Sequence, residues 1–295
     1  MRILLFGASG QVGFELNRAL QPLGDVVAIT RAEADFAAPE SLRSHFAVRP
    51  DVVVNAVAYT AVDAAETAVD EATRVNVDAV RVLAEECERR GSLLVHFSTD
   101  YVFDGTGERP YREDDEPAPL SIYGRTKLDG ERAIVSAGCA YLVLRTSWVF
   151  ASRGKNFVRT VLRLARERES LRMVADQFGA PTSARLIADT TAQVLRRALE
   201  DFEAEPFASG VFHLTAAGRT NWCDFARAIV DGARRRGDDT LVVKTIDPIP
   251  ASDFPLPARR PMNSSLDTSC LRERFGVVMP DWTVGLALVL EELLA

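Results

Sequence analysis

Tyr123 and Lys127 form a YxxxK pair in the stretch SIYGRTK, which begins at Ser121. Residues four apart on a helix lie on one face, so the phenol and the ammonium are expected side by side. A free tyrosine titrates near 10, and a neighbouring ammonium favours the phenolate and lowers that pKa. YxxxK alone is common by chance, but together with the glycine motif at residues 7–13 and Ser98-Thr99 at a predicted strand end the pair predicts proton exchange with a substrate oxygen. Thr99, at the end of a predicted strand, is expected to hydrogen-bond the same oxygen.

A second chemical motif, GASGQVG, occupies residues 7–13, directly after an apolar run and before a helical pattern. Glycines here allow a tight turn and close approach of the backbone to a pyrophosphate, and the helix N-terminus offers unpaired amides to it. The predicted cofactor contacts in this loop are Gly7, Ser9, Gly10, Gln11 and Val12. The GxxGxxG spacing resembles that of the extended short-chain dehydrogenases/reductases.

The end of the second predicted strand, near Ile29, bears on the choice of cofactor. An acidic residue there often binds the ribose hydroxyls of the adenosine, but this chain has Thr30 and Arg31, with no carboxylate before Glu33. An arginine can pair with a 2′-phosphate, so NADPH is favoured and NADH is the alternative. The other interpretation of Arg31 is a solvated loop residue. Asp35 and Phe36 resemble the pair that contacts adenine in this superfamily.

Short apolar runs alternate with amphipathic stretches through the first half of the chain and must position these motifs. The runs begin at residues 3, 26, 52, 93 and 141, and such continuous apolar strands are typical of a parallel sheet covered on both faces. In the helical stretch from Asp70 to Arg90, Glu86 is expected to face water. The predicted fold class is α/β: a Rossmann-like, doubly wound parallel sheet with a smaller C-terminal substrate-binding domain.

The alternation of short apolar runs with amphipathic stretches changes after about residue 150, which predicts two domains. We expect a NAD(P)-binding Rossmann domain at 1–150, with returning segments at about 172–217. A sugar-nucleotide-binding domain is expected at about 151–171 and 218–295. It includes the stretch 247–261, where five of the 14 prolines indicate an extended loop.

Composition excludes several classes of protein. The 295 residues carry a net charge of −7 without a dense basic tract, so nucleic acid is not an expected partner. The four cysteines and three histidines are scattered, which argues against a zinc site or a disulfide scaffold. No apolar run has the roughly 20 residues of a membrane span, and no signal peptide is recognisable. These features predict a cytoplasmic protein without a membrane partner.

Five longer motifs narrow the resemblance further and together span nearly the whole chain. They are HFSTDYVFDG from residue 96, YGRTKLDGE from 123, RTSWVF from 145, DQFGAPT from 176 and RRPMNS from 259. In this order they resemble the dTDP-4-dehydrorhamnose reductase family. The resemblance implies transfer of a hydride from NADPH to C4 of dTDP-4-dehydro-β-L-rhamnose, with Tyr123 protonating the oxyanion, Thr99 binding it and Lys127 tuning the tyrosine and holding the nicotinamide ribose.

The resemblance also implies where a dTDP-sugar and the cofactor would be held. Ala56 and Ala58 would flank the cofactor. The implied substrate contacts are Thr60, Val62, Thr99, Asp100, Tyr101, Trp148, Asn156, Gln177 and Arg260. Arg260 is the best candidate for the diphosphate, because a guanidinium can bind it through two hydrogen bonds.

Alternative functions of three kinds stay open at this stage. One is reduction of a related dTDP-4-ketosugar, such as a precursor of 6-deoxy-L-talose, because the motifs do not encode product stereochemistry. The others do not turn over substrate: the NADP-binding regulatory subunit of methionine adenosyltransferase and a regulator of nitrogen metabolism. The intact set of Thr99, Tyr123 and Lys127 disfavours both. Water elimination is also disfavoured, because the second carboxylate of the dehydratase relatives is missing after Thr99.

Several members of the family form a dimer around Mg²⁺ bound by three glutamates. Glu15 and Glu292 (or Glu291) match two of those positions, and Arg185 occupies the third. A cation cannot supply the oxygen ligand that Mg²⁺ requires, so no metal is expected. We predict instead that Arg185 pairs with a carboxylate, or that the chain is monomeric rather than a homodimer.

Overall fold

The computed structural model describes residues 1–202 and 207–295, with the side chains of 201 and 202 left out of the description. The described residues form twelve strands. They are β1 (Arg2–Phe6), β2 (Asp25–Ile29), β3 (Val52–Asn55), β4 (Leu93–Thr99), β5 (Tyr141–Thr146), β6 (Val149–Phe150), β7 (Ser170–Val174), β8 (Phe178–Gly179), β9 (Thr182–Ser183), β10 (Gly210–His213), β11 (Thr220–Asn221) and β12 (Thr245–Ile249).

The same residues form ten α-helices, with short 3₁₀ segments between them and one π-helical turn, Arg74–Asp78, directly before the fourth. The α-helices are α1 (Gln11–Ala19), α2 (Val62–Ala65), α3 (Val69–Thr73), α4 (Ala79–Arg90), α5 (Ile122–Ala137), α6 (Phe157–Glu167), α7 (Ala184–Phe202), α8 (Trp222–Arg234), α9 (Ser269–Phe275) and α10 (Trp282–Leu294).

Six strands form one parallel sheet in the order β10-β5-β4-β3-β1-β2. The chain moves from β1 outward to β2 and then returns to place β3 on the other side of β1. The order of strands therefore reverses between β1 and β3, and in sheets of this kind ligands bind at the carboxyl ends of the strands beside that point. The doubly wound parallel sheet predicted from the sequence is confirmed.

Two apolar cores cover the two faces of the sheet, which explains why its strands are continuous apolar runs. One core joins the sheet to α1, α7 and α9, and the other joins it to α4 and the 3₁₀ segment Pro39–Val48. A third core lies between α6, α8, α10 and β7. None of the helices in the described residues has both the length and the apolar character needed to cross a bilayer.

The domain boundaries stay a prediction, although packing bears on them. Strand β10 and helix α7 join the sheet and its first core, as expected for returning segments. Strand β7 instead pairs with β12 and packs in the third core. Helix α9 packs on the first core although it lies in the range assigned to the second domain.

The expectation that Glu86 faces water is wrong. Its side chain is fully buried, and Arg43, Arg89 and Arg90 pair with its carboxylate at 2.9–3.1 Å. Helical periodicity placed Glu86 on the polar side of α4, but the 3₁₀ segment that carries Arg43 packs against that side. Three guanidinium groups compensate the buried charge.

Candidate active site

Two adjoining cavities open at the carboxyl edge of the sheet, beside β1 and β3. The first, of about 500 Å³, is lined by the predicted cofactor residues Gly7, Ser9, Gly10, Arg31, Asp35, Phe36, Ala56 and Ala58. The second, of about 680 Å³, shares four of these and is also lined by Gln11 and Val12. All the residues predicted to hold the cofactor therefore lie along one continuous cleft.

The glycine loop has the tight geometry that a dinucleotide needs. Gly7 has a φ of +85°, a conformation that other residues rarely adopt. A Cβ on Gly13 would lie 2.0 Å from the carbonyl oxygen of Gly7, so the start of α1 packs directly on the loop. Helix α1 begins at Gln11, which directs its first backbone N–H groups towards the cleft.

The end of β2 suits a 2′-phosphate better than a ribose hydroxyl. Glu33, the nearest carboxylate, accepts hydrogen bonds from the backbone N and the Oγ1 of Thr30, at 2.9 and 2.7 Å. Its charge is therefore engaged within its own turn. The exposed Arg31 side chain lines the first cavity.

Thr99, Tyr123 and Lys127 line the second cavity together. Thr99 lies at the end of β4, while the other two lie in the first turns of α5, whose N-cap Ser121 accepts a hydrogen bond from Gly124 N. The Thr99 hydroxyl donates to Asp100 Oδ1 at 3.0 Å and accepts from Tyr101 N at 3.2 Å. The ring of Tyr101 meets that of Tyr123 edge-on, with centroids 5.9 Å apart.

The expected lowering of the Tyr123 pKa by Lys127 is wrong for this structure. Burial raises the pKa of Tyr123 to about 12, and a hydrogen bond with Thr99 opposes this only in part. The Lys127 Nζ instead donates to the carbonyl oxygen of Phe97 at 2.7 Å and lies 3.1 Å from His96 Nε2. Burial lowers the pKa of Lys127 to about 8.

Asp100 is a buried acid that follows Thr99 directly in the chain. Its side chain is 2% exposed, and burial raises its pKa to about 7. Hydrogen bonds with Ser264 and Thr99 favour the charged form but do not cancel the cost of burial. Asp100 therefore lines the second cavity while accepting a hydrogen bond from the hydroxyl of Thr99.

Trp148 forms one wall of the second cavity and is held in a strained conformation. Its φ is +46°, rare for a residue with a side chain. The indole stacks on Trp222 with centroids 3.5 Å apart, and Nε1 donates to Ser264 Oγ at 3.2 Å. A Cβ on Gly179 would lie 2.6 Å from the indole, so only glycine fits there.

Thr60, Val62, Asp100 and Tyr101 also line the second cavity, as predicted for substrate contacts, but three other residues do not. Asn156 caps α6, accepting from Arg159 N, while its amide donates to Gln11 Oε1 and two carbonyl groups. Arg260 donates to Asp63 at 2.8 and 3.0 Å. Gln177, directly before β8, lines neither cavity.

Sequence reasoning missed several residues on the cavity wall, among them Trp222, Arg153 and Lys155. Arg153 and Lys155 flank Gly154 just before the N-terminus of α6, a pattern that suits an anion and could have been noticed. Trp222 follows the N-cap Asn221 of α8. No spacing in the sequence connects it with Trp148.

Arg185 lies between the two glutamates that matched metal positions. It forms ion pairs with Glu292 and, at 3.5 Å, with Glu15, as predicted for a residue that pairs with a carboxylate. Arg18 also pairs with Glu15, at 3.2 Å. Across the described residues, no group of three or more metal-ligating side chains is present.

Comparison with known proteins agrees with this geometry. The model of the family described as RmlD substrate binding domain matches residues 1–295. A dTDP-4-dehydrorhamnose reductase of Burkholderia thailandensis is 54% identical over 100% of both chains. The enzyme of the same name from Escherichia coli is 45% identical over 99% of this chain and 98% of its own.

Solved structures give the same picture. A dTDP-4-dehydrorhamnose reductase of Clostridium acetobutylicum has a TM-score of 0.89 at 33% identity, covering 100% of both chains. One from Bacillus anthracis, in complex with NADP, has a TM-score of 0.89 at 31% identity, covering 99% of both. A UDP-glucose 4-epimerase of Thermus thermophilus, at 18% identity, shares the fold.

Proposed function

The chain belongs to the RmlD substrate-binding-domain family, and from that premise we propose that it is a dTDP-4-dehydrorhamnose reductase. It uses NADPH to reduce the C4 keto group of dTDP-4-dehydro-β-L-rhamnose to dTDP-β-L-rhamnose. The observation that carries this proposal is the convergence of Thr99, Tyr123 and Lys127 on one cavity that continues into the glycine-loop cavity.

The residues of the first cavity fit a phosphorylated dinucleotide. Backbone N–H groups at the start of α1, after Gly10, would hold the pyrophosphate. Arg31 would pair with the 2′-phosphate, and Asp35 and Phe36 would contact the adenine, with Ala56 and Ala58 flanking the cofactor. When bound, the nicotinamide supplies the hydride.

Tyr123 is the proton donor. With a pKa of about 12 the phenol keeps its proton at neutral pH, and the charge that develops on the C4 oxygen draws this proton across. Thr99 positions the phenol and, by turning its own hydroxyl from Asp100 to the C4 oxygen, stabilises the oxyanion. Lys127, when protonated, stabilises the phenolate that remains and binds the nicotinamide ribose.

The sugar nucleotide would occupy the remainder of the second cavity. The stacked Trp148 and Trp222 supply a flat apolar wall, with Tyr101, Thr60 and Val62 around the sugar. Arg153 and Lys155 are better placed for the diphosphate than Arg260, which would first have to leave Asp63. Asn156 would act through the end of α6 that it caps, and Gln177 from behind the cavity wall.

The test measures NADPH oxidation by the purified protein with dTDP-4-dehydro-L-rhamnose and identifies the product by NMR. Tyr123→Phe is expected to lower kcat by about 10²- to 10⁴-fold with little change in KM. Tyr141→Phe is the matched control, because Tyr141 is the first residue of β5 and lies at the amino ends of the strands, away from the cavities at their carboxyl ends. A full rate for Tyr123→Phe would contradict the assignment of the acid.

The same assay separates the alternatives. A talose-type product would indicate that hydride is delivered to the other face of the same C4 carbonyl, and the chain would then be a reductase of the 6-deoxy-L-talose type. NADPH binding without turnover would instead favour a regulatory, non-catalytic protein. The intact catalytic set in one cavity supports the reductase.

We also propose that catalysis needs no Mg²⁺, since Arg185 already neutralises Glu15 and Glu292. Whether the chain is a monomer or a homodimer would be measured by sedimentation. Activity lost in EDTA and restored by Mg²⁺ would contradict the role given to Arg185.

A further inference from the structure

A chain of polar contacts runs from Lys127 into the sheet. Lys127 Nζ lies 3.1 Å from His96 Nε2, and the other ring nitrogen, Nδ1, lies 3.1 Å from Asn55 Nδ2. All three side chains are at most 1% exposed. Each proton in this chain of contacts therefore lies between two protein groups. Its position decides whether the next group donates or accepts.

The orientation of the Asn55 amide follows from a backbone contact. The N–H of Val57 donates to Asn55 Oδ1 at 3.0 Å, which leaves the NH₂ group facing His96. An amide NH₂ can only donate, so His96 Nδ1 must accept. A neutral imidazole carries one proton, which is then on Nε2.

This tautomer directs an N–H of His96 at Lys127. An ammonium has only N–H donors and would meet the Nε2–H donor to donor, whereas a neutral amine can accept that proton. The carbonyl oxygen of Phe97 accepts from Nζ in either state, so it does not discriminate. Only the amine form satisfies every contact in the chain.

We propose that Asn55 and His96 are positioning residues that act through Lys127, holding the imidazole as its Nε2–H tautomer and thereby stabilising the neutral amine of the lysine. The inference rests on the proposed reductase function, because it concerns when Lys127 carries the charge that the phenolate requires. The chain of contacts ends at the Asn55 amide, so it sets the charge of Lys127 and does not relay protons onward.

Other titratable groups lie around Lys127 and bear on its charge. Glu131, one turn along α5, raises the pKa of Lys127, but its carboxylate is paired with Arg145 of β5. Tyr123 on α5 is neutral at pH 7, and the pKa of Asp100, beyond the end of β4, is raised to about 7. Burial lowers the pKa of His96 well below its usual value, so the imidazole is neutral. The lowered pKa of Lys127 agrees with the geometric argument.

The first test reads the tautomer directly by ¹⁵N NMR of histidine-labelled protein at pH 7. The chain has three histidines, His45, His96 and His213. Since His213 Nδ1 contacts the carbonyl oxygen of Asp267 at 3.1 Å, it should be the Nδ1–H tautomer and serves as the internal reference. His96 is expected as Nε2–H. An Nδ1–H tautomer or an imidazolium at His96 would overturn the proposal.

The second test is Asn55→Asp, in which a carboxylate accepts where the amide donated. His96 should then change to Nδ1–H, and its bare Nε2 should accept from the Lys127 ammonium. We expect the alkaline limb of the pH profile of kcat, which reports deprotonation of Lys127, to move to higher pH by about one unit or more. One pH unit corresponds to a tenfold gain in the proton affinity of Lys127. Asn17→Asp adds the same charge on α1, where the side chain contacts Gln21, and should leave the limb in place.

The two tests distinguish failure of this proposal from failure of the proposed reductase function. A shifted limb without a change of tautomer would reflect charge alone and would overturn the proposal, as would an unshifted limb. If Asn55→Asp does not fold, the wild-type spectrum still decides. Absence of turnover with the expected tautomer would refute the proposed function while leaving the assignment of Asn55, His96 and Lys127 intact.

Discussion

Replacing Glu131 by glutamine should strongly destabilise the protein. Glu131 accepts two hydrogen bonds from Arg145, at 3.0 and 2.7 Å, and the two side chains are only 5% and 4% exposed. Glutamine keeps the shape but removes the charge and one acceptor. The guanidinium of Arg145 would remain buried, over the ring of Phe103, without its counter-charge.

The expected loss is about 3–5 kcal/mol of unfolding free energy, the usual cost of removing one partner of a buried ion pair. Asp129→Asn on the same helix is the matched control. Its pair with Arg132 is 40% and 63% exposed, so the loss there should be below about 1 kcal/mol. Denaturant titration at constant m-value measures both variants.

Replacing both partners by methionine should recover most of the lost stability, because no unpaired charge then remains. The single variant should also lower the pKa of Lys127, which Glu131 raises, and so move the alkaline limb of activity to lower pH. A loss for Glu131→Gln no larger than that for Asp129→Asn would refute this account of the buried pair.

Three further variants test the site. The Asp100→Asn variant should become more stable relative to wild type as the pH rises from about 4 to about 7. The folded state raises the pKa of this carboxyl to about 7, so the unfolded chain releases the proton first and the wild type loses stability across that window. Urea titrations at several pH values measure the difference in unfolding free energy, and a constant difference would contradict this prediction. Arg31→Ala should raise the Kd of NADPH about 10- to 100-fold and leave that of NADH unchanged, because one charge-assisted contact to the 2′-phosphate contributes about 1.5–3 kcal/mol. Equal effects on the two Kd values would refute the role of Arg31. Trp222→Ala removes the stacking partner of the strained Trp148 and should raise KM for the sugar nucleotide more than it lowers kcat; a change in kcat alone would place these rings elsewhere in the reaction.

Local sequence patterns were enough to predict the architecture and the two chemical motifs. Continuous apolar runs, without the alternation of a half-buried strand, predicted the parallel strands. The motif GASGQVG between a strand and a helix predicted the cofactor loop. Thr99, Tyr123 and Lys127 were predicted as the catalytic set because their types and order, together with the glycine motif, match a known pattern. These features depend on neighbours within a few residues, which a single chain displays directly.

Charge states and pairings depend on segments far apart in the chain. Arg260 is matched with Asp63 across 197 residues, and Glu86 with Arg43 across 43. Periodicity could not place either pair. The same holds for Lys127, whose contact with His96 arises where α5 crosses β4, and for Tyr123, whose pKa is raised by burial.

The sequence by itself determined the fold class and predicted the cofactor loop and the reacting groups, because backbone geometry and side-chain chemistry are local properties. Only the tertiary structure decided which groups are charged and which side chains face the cleft. Burial and electrostatic pairing depend on everything packed around a group, and packing brings together residues such as Trp148 and Trp222 whose separation in the chain carries no signal.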